Sequence, residues 1–211
     1  MLRKNIMLLS CGTNACFNFC KQVSEHFSTK FNLIGVDTNP RNQVASSVYL
    51  NRFYQVFPTS DHRYYDQILE IIRREKVEFL LPSFDQDQQL FNPQNTDLQN
   101  LGCVSLGVGS ECLAFYGDKR KTTETLKNLG FKVPLQFELD EIVEDRVYFV
   151  KPINGVGSIG ATLATGKEIV EKFRLNFLYQ EVCSKPEVTV ECFYDGNFFS
   201  SRCRERLVSK S

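Results

Sequence analysis

The chain has 211 residues, enough for one large domain or two modest ones, with 42% hydrophobic residues, 24% charged residues and a formal net charge of zero. That balance excludes a disordered chain. Without a basic excess it also argues against nucleic acid as the main partner, because phosphate neutralisation supplies most of the affinity of nucleic-acid binders. No stretch approaches the roughly eighteen apolar residues of a membrane span, and the apolar run at 6–9 is shorter than the about seven to fifteen residues a signal peptide needs.

Residues 5–10 read as a buried strand ending at Cys11-Gly12. Ala15, Cys16, Phe19, Cys20, Val23 and Phe27 then recur on one helical face. Residues 31–36 are a second strand, closed by Asp37 and the turn residues Asn39-Pro40, and a weaker strand lies near 53–57. In the next helix Tyr65, Ile68, Leu69 and Ile72 form the apolar stripe, with Asp61 as the expected N-cap. Residues 77–81, stopped by Pro82, and residues 103–106 read as two more buried strands. Short apolar strands alternating with amphipathic helices imply right-handed parallel β-α-β units, so residues 1–113 are expected to form a doubly wound α/β domain. Asp85 and Asp87 follow a strand end, where open α/β sheets bind ligands, although a solvated acidic loop is the simpler expectation.

Beyond residue 113 the strict alternation stops, and an α+β domain over 114–211 is expected. Residues 118–129 are helical, with Gly130 as the stop and Pro134 just beyond. Strands at 147–150 and 161–164 flank a glycine-rich run, and a short helix at 167–174 presents Ile169, Val170 and Phe173. Two long strands near 187–193 and 198–204 are joined through Asp195-Gly196, a hairpin-turn signal. The eight cysteines include no Cys-x-x-Cys pair, and His26 and His62 stand apart from them, so buried free thiols in a reducing cytoplasm are expected rather than a zinc site or disulfides.

Three features can carry chemistry. Lys119, Arg120 and Lys121 crowd the first turn of the helix opening at Asp118, where the helix dipole makes each exposed cation cost about 0.3–1 kcal/mol. Free N–H groups plus cations make an anion site; a solvated basic turn is the plain alternative. Next, Lys151-Pro152 leads into Gly155, Gly157, Ser158 and Gly160. A P-loop would need Gly-Lys-Ser/Thr and then a helix, whereas a glycine loop between two strands suits a flap over phosphates, or a simple turn. Last, Tyr179-Gln180-Glu181-Val182-Cys183 precedes a strand on which Glu187, Thr189 and Glu191 share one face, as in a half-solvated antiparallel strand.

In order and spacing these features resemble an ATP-grasp nucleotide-binding domain. The residues concerned are Asp118-Lys119-x-x-Thr122 with Leu126, Leu129, Gly130 and Pro134, then Val150-Lys151-Pro152 with Gly155-x-Gly157-Ser158-x-Gly160, then Gln180-Glu181 and the run from Glu187 to Val190. The resemblance is to the carbamoyl-phosphate-synthase-like branch, in which a Rossmann-like domain precedes the grasp. The run from Ile34 to Pro40 and Leu81-Pro82-Ser83 resemble that domain. The resemblance implies that Lys119 and Lys151 contact phosphates, Lys151 also approaching the adenine. Gly155, Gly157, Ser158 and Gly160 would cover the triphosphate, Glu181 and Cys183 would offer main-chain groups to the adenine edge, and Glu187 would bind the ribose hydroxyls. No catalytic residue is assigned.

The same resemblance implies ATP as ligand, a carboxylate and an amine as substrates, and Mg2+, whose acidic ligands in the family lie past the position of Ser211. No metal ligand is therefore expected within this chain. The expected fold is α/β: a Rossmann-like parallel-sheet domain, then a truncated α+β ATP-grasp domain. An ATP-dependent ligase, inactive alone, is the first expected function. A non-catalytic nucleotide-binding or assembly module, pairing with its own copy or with another chain, is the second. A nicotinamide-dependent oxidoreductase fits poorly: Asp37 stands where such folds place a ribose-binding acid, but the turn after the first strand has one glycine, Gly12, where the fingerprint needs three.

Overall fold

In the computed structural model, which describes residues 2–154, 159–173 and 175–207, the chain divides into an N-terminal unit, 1–117, and a C-terminal unit, 118–211. The N-terminal unit runs β1 (Lys4–Leu9), α1 (Asn14–His26), β2 (Phe31–Asp37), β3 (Arg52–Gln55), α2 (Tyr64–Glu75), β4 (Phe79–Pro82), α3 (Asp85–Leu90), α4 (Thr96–Asn100), β5 (Val104–Ser105) and α5 (Ser110–Gly117). Its five strands are all parallel, in the order β3-β2-β1-β4-β5. Strand alternation explains why β1 is apolar throughout. Met7 and Leu9 pack on one face with Ile34, Val36, Ile68, Ile72 and Leu80, while Ile6 and Leu8 pack on the other with Cys16, Cys20 and Leu33.

The helices carry their own local signals. Thr13 caps α1 by accepting the N–H of Cys16, and Cys16, Cys20 and Val23 are its buried stripe. Asp61, by contrast, does not cap α2. Arg63 holds the N-cap position with no side-chain cap. The Asp61 carboxylate is instead gripped by the Arg63 guanidinium at 2.7 and 3.0 Å, and that guanidinium stacks 3.7 Å over the Phe57 ring. A bidentate charged pair outcompetes the cap. Asp87 is also not in a solvated acidic loop: it lies on α3 and is fully buried. All eight cysteines are free, but only Cys11, Cys16, Cys20 and Cys103 are buried; Cys112, Cys183, Cys192 and Cys203 are exposed.

The C-terminal unit runs α6 (Lys119–Asn128), β6 (Gln136–Phe137), β7 (Val147–Pro152), β8 (Thr162–Thr165), α7 (Gly166–Lys172), β9 (Phe177–Gln180), β10 (Val188–Tyr194) and β11 (Phe199–Glu205). Four strands form an antiparallel sheet in the order β6-β9-β7-β8, and β10 and β11 form a separate two-stranded ribbon. Tyr148, Val150, Ala164, Ile169 and Tyr179 make the core. Thr165 and Glu168 close a capping box on α7, which seats Ile169 under the sheet. No helix among the described residues is long and apolar enough to cross a membrane.

Candidate functional site

Strand β7 sets the site by alternation. Tyr148 and Val150 are buried in the core, so Phe149 and Lys151 project from the opposite face. The Lys151 ammonium lies 6.0 Å from the centroid of the Phe149 ring. In register with β7, Gln180 stands opposite Phe149, which brings the end of β9 to the same face.

Helix α6 delivers the second lysine. Its N-cap Asp118 accepts the N–H groups of Arg120 and Lys121 at 2.9 and 3.2 Å, which offsets part of the cost of three cations in the first turn. Lys119 Nζ donates to the carbonyl oxygen of Ile153 at 3.2 Å, just past the end of β7. The two ammonium groups feel each other. Partial burial, then the charge of Lys119, pulls Lys151 below the ordinary lysine range, while Cys183 acts the other way. Lys119, Lys151 and Cys183 thus share one electrostatic neighbourhood.

Between β7 and β8 runs the glycine-rich loop. Gly155, Gly157 and Ser158 lie outside the described residues. Gly160, at its far end, has φ +76°, and a Cβ there would stand 3.1 Å from Pro152 Cγ. Pro152 directly follows Lys151, so the base of the loop and the lysine are one structural feature.

After β9 the chain turns through 181–187 and encloses a cleft of 440 Å³ whose lining includes Phe149, Glu181, Cys183, Glu187 and Arg206. Glu181, Cys183 and Glu187 therefore converge on one cavity, while the two lysines stand outside its lining. The Glu181 N–H donates to Leu135 O at 2.9 Å, and its carboxylate accepts the Leu135 N–H at 2.8 Å. Its carbonyl is the main-chain group it can still offer. Glu187 accepts a bond from Arg206 at 2.9 Å, and both side chains are exposed. Sequence reasoning missed Phe149 and Arg206. The signal for Phe149 was there: it is two residues before Lys151 on a strand, hence on the same face.

The arrangement suits a ligand with a flat, partly apolar end and an anionic end. Phe149 supplies a ring wall and main-chain groups supply an edge. Lys119 disfavours the charge on Lys151, and an anion beside Lys151 would offset that. Among the described residues no three His, Cys, Asp or Glu side chains come together so as to hold a metal.

Residues 116–207 match the ATP-grasp domain family, and residues 6–106 match the PylC-like N-terminal domain family. Among solved structures, an L-amino acid ligase from Bacillus licheniformis is similar at 16% identity and a TM-score of 0.67, over 95% of this chain and 50% of that one. D-alanyl-alanine synthetase A from Vibrio cholerae O1 biovar eltor str. N16961 is similar at 14% identity and a TM-score of 0.63, over 100% and 70%. The biotin carboxylase domain of a Hydrogenobacter thermophilus 2-oxoglutarate carboxylase, in complex with MgADP, ADP and bicarbonate, is similar at 14% and 0.59, over 91% and 47%. The chain thus spans about half the length of the first and third of these structures. At such identities the likeness is one of fold. No curated protein matches the sequence. With an ATP-grasp domain match from residue 116 and a PylC-like N-terminal domain match before it, the chain belongs to the ATP-grasp superfamily.

Proposed function

We propose that this is an ATP-binding protein of the ATP-dependent carboxylate–amine ligase type, in the carbamoyl-phosphate-synthase-like branch. Residues 1–113 serve as the pre-grasp domain, and residues 114–211 as the N-terminal portion of the grasp. The observation that carries this reading is the cleft at 181–187, opening on the Phe149 face of the strand that bears Lys151. In this reading the Glu181 carbonyl and the Cys183 N–H meet the adenine edge, Phe149 packs on its ring, and Glu187 meets the ribose hydroxyls. Lys119 and Lys151 hold the outer phosphates, and Gly155, Gly157, Ser158 and Gly160 close over them. The family reaction moves the terminal phosphoryl group of ATP to a carboxylate oxygen, releasing ADP. An amine then attacks the acyl carbon and phosphate leaves. The residues described here bind and orient ATP; none is assigned to the amine attack.

In this reading the polypeptide is inactive by itself, because none of the residues assigned here is a magnesium ligand. The setting is the cytoplasm. A thermal-shift panel of ATP, ADP and NAD, each with and without magnesium, tests the reading: stabilisation by ATP and ADP but not NAD is expected, and NAD as the best ligand would overturn it.

A second reading, a non-catalytic nucleotide-binding or assembly module that pairs with its own copy or another chain, is favoured by one observation. The β10–β11 ribbon exposes Val188, Val190, Tyr194 and Phe199 on a single face. Large exposed apolar patches mark association surfaces.

A further inference from the structure

The N-terminal unit has a cavity of its own. It has a volume of 350 Å³ and lies where the strand order reverses between β1 and β4, outside the carboxyl ends of the parallel strands. Ser10 and Gly12 reach it from β1, Asp37 and Asn39 from β2, and Thr59 and Tyr64 from the segment after β3. Open α/β sheets bind their ligands at this place.

What such a cavity binds is decided by its charges. The N-terminus of a helix after β1 ordinarily suits a phosphate. Here a carboxylate of the chain itself stands just before that position. Asp37 Oδ2 accepts the Gly12 N–H at 2.8 Å, and a Cβ on Gly12 would stand 2.9 Å from the same oxygen. Asp37 Oδ1 accepts the N–H and the side-chain amide of Asn39 at 2.9 and 3.0 Å. Behind the wall, the fully buried Asp87 accepts bonds from Ser10 Oγ and Tyr64 OH, both at 2.6 Å. One carboxylate, Asp37, therefore lines the crevice, a second, Asp87, is buried behind its wall, and every group bonded to them is a neutral donor. Among the described residues no lysine, arginine or histidine lines the cavity. Among the described residues neither carboxylate has an ion-pair partner. An anion would meet uncompensated negative charge here. Among the described residues no three His, Cys, Asp or Glu side chains converge to hold a metal.

We propose that this crevice is a binding site for a small organic molecule bearing a primary ammonium group, held against Asp37 with Thr38, Asn39 and Gln43 as further acceptors. The inference holds whether or not the C-terminal unit binds nucleotide. The full chain, labelled with 15N, is titrated with n-butylamine, n-butanol, butyrate and magnesium chloride in separate arms. Saturable shifts of the Gly12, Thr13 and Asn39 amides with butylamine alone are expected. Asp37→Asn weakens them about tenfold or more. Thr59→Lys, which places a tethered ammonium at the rim, weakens them as well; should Asp37→Asn not fold, this variant decides alone. Equal response to butanol or butyrate, response to magnesium, shifts that survive the variants, or no shift at all would each overturn the site.

Discussion

Gly160 stands against Pro152 across the base of the glycine-rich loop, so close that a Cβ would come within 3.1 Å of Pro152 Cγ, and its φ of +76° is one that L side chains avoid. Both constraints act together on Gly160→Ala. Strain in the left-handed region costs about 1–2 kcal/mol per residue, and the ring of Pro152 cannot swing away as a flexible side chain could. Chemical denaturation of Gly160→Ala should therefore show a loss of about 1–2 kcal/mol. Unchanged stability would mean that the turn is not held in this conformation in solution.

Lys151→Ala should weaken ATP more than AMP. A charge-assisted hydrogen bond contributes about 1.5–3 kcal/mol, or about ten- to a hundredfold in affinity. The loss should appear for ATP and be small for AMP, which lacks the outer phosphates. Burial and Lys119 lower the Lys151 pKa, and it is the protonated form that holds phosphate. Raising the pH should therefore weaken ATP before an ordinary exposed lysine would titrate. Calorimetric titrations of both nucleotides across alkaline pH check this; equal losses for ATP and AMP would remove Lys151 from the outer phosphates.

The physics of the elements explains what was legible. The apolar runs of β1 and β2 and the stripe of α2 carry their own periodicity, so the parallel sheet followed from the sequence. The four-residue β9 did not. Leu178, Tyr179 and Gln180 are buried by pairing with β6 and β7, partners far away in sequence. The short α3 and α4 are too brief to show a period. At the candidate site, Glu181, Cys183 and Glu187 were named because they sit in a motif, and the turn at 181–187 brings them to one cleft. Arg206 was missed because its place opposite Glu187 depends on the register of the β10–β11 ribbon.

Asp87 makes stability depend on pH with a particular sign. Burial raises its pKa above 3.8, bonds from Ser10 and Tyr64 work against that, and the charge of Asp37 adds to it. A carboxyl whose folded pKa lies above its unfolded value holds its proton more tightly in the fold. Its contribution to stability is fully present below the unfolded value and is lost as pH rises through the folded one. Asp87→Asn removes this dependence. The stability of the wild type relative to Asp87→Asn should therefore fall as pH rises from the unfolded value of 3.8 towards neutrality. Urea melts of both proteins across that window check it, and a gap that widens towards neutral pH would contradict the buried placement of Asp87.

The 211-residue polypeptide by itself should bind ATP without ligase turnover, and the binding should depend only weakly on magnesium. Among the described residues no three side chains converge to hold a metal. The acids nearest the cleft are engaged elsewhere: Glu181 accepts the Leu135 N–H, Glu187 pairs with Arg206, and Glu191 pairs with Arg204. Recruiting any of them to an ion would break a contact that shapes the 181–187 turn or the ribbon. Lys119 and Lys151 can attract the phosphates, but two ammonium groups do not bridge the transferring and leaving oxygens as a divalent ion does. Binding without transfer is the consequence. Steady-state ADP release from the pure chain, with a panel of carboxylates and amines, measures the transfer. Calorimetric titration of ATP, first with magnesium and then with a chelator, measures the binding. Sustained turnover, or an affinity gain of about a hundredfold from magnesium, equivalent to about 2.7 kcal/mol, would mean that these 211 residues already assemble a metal site.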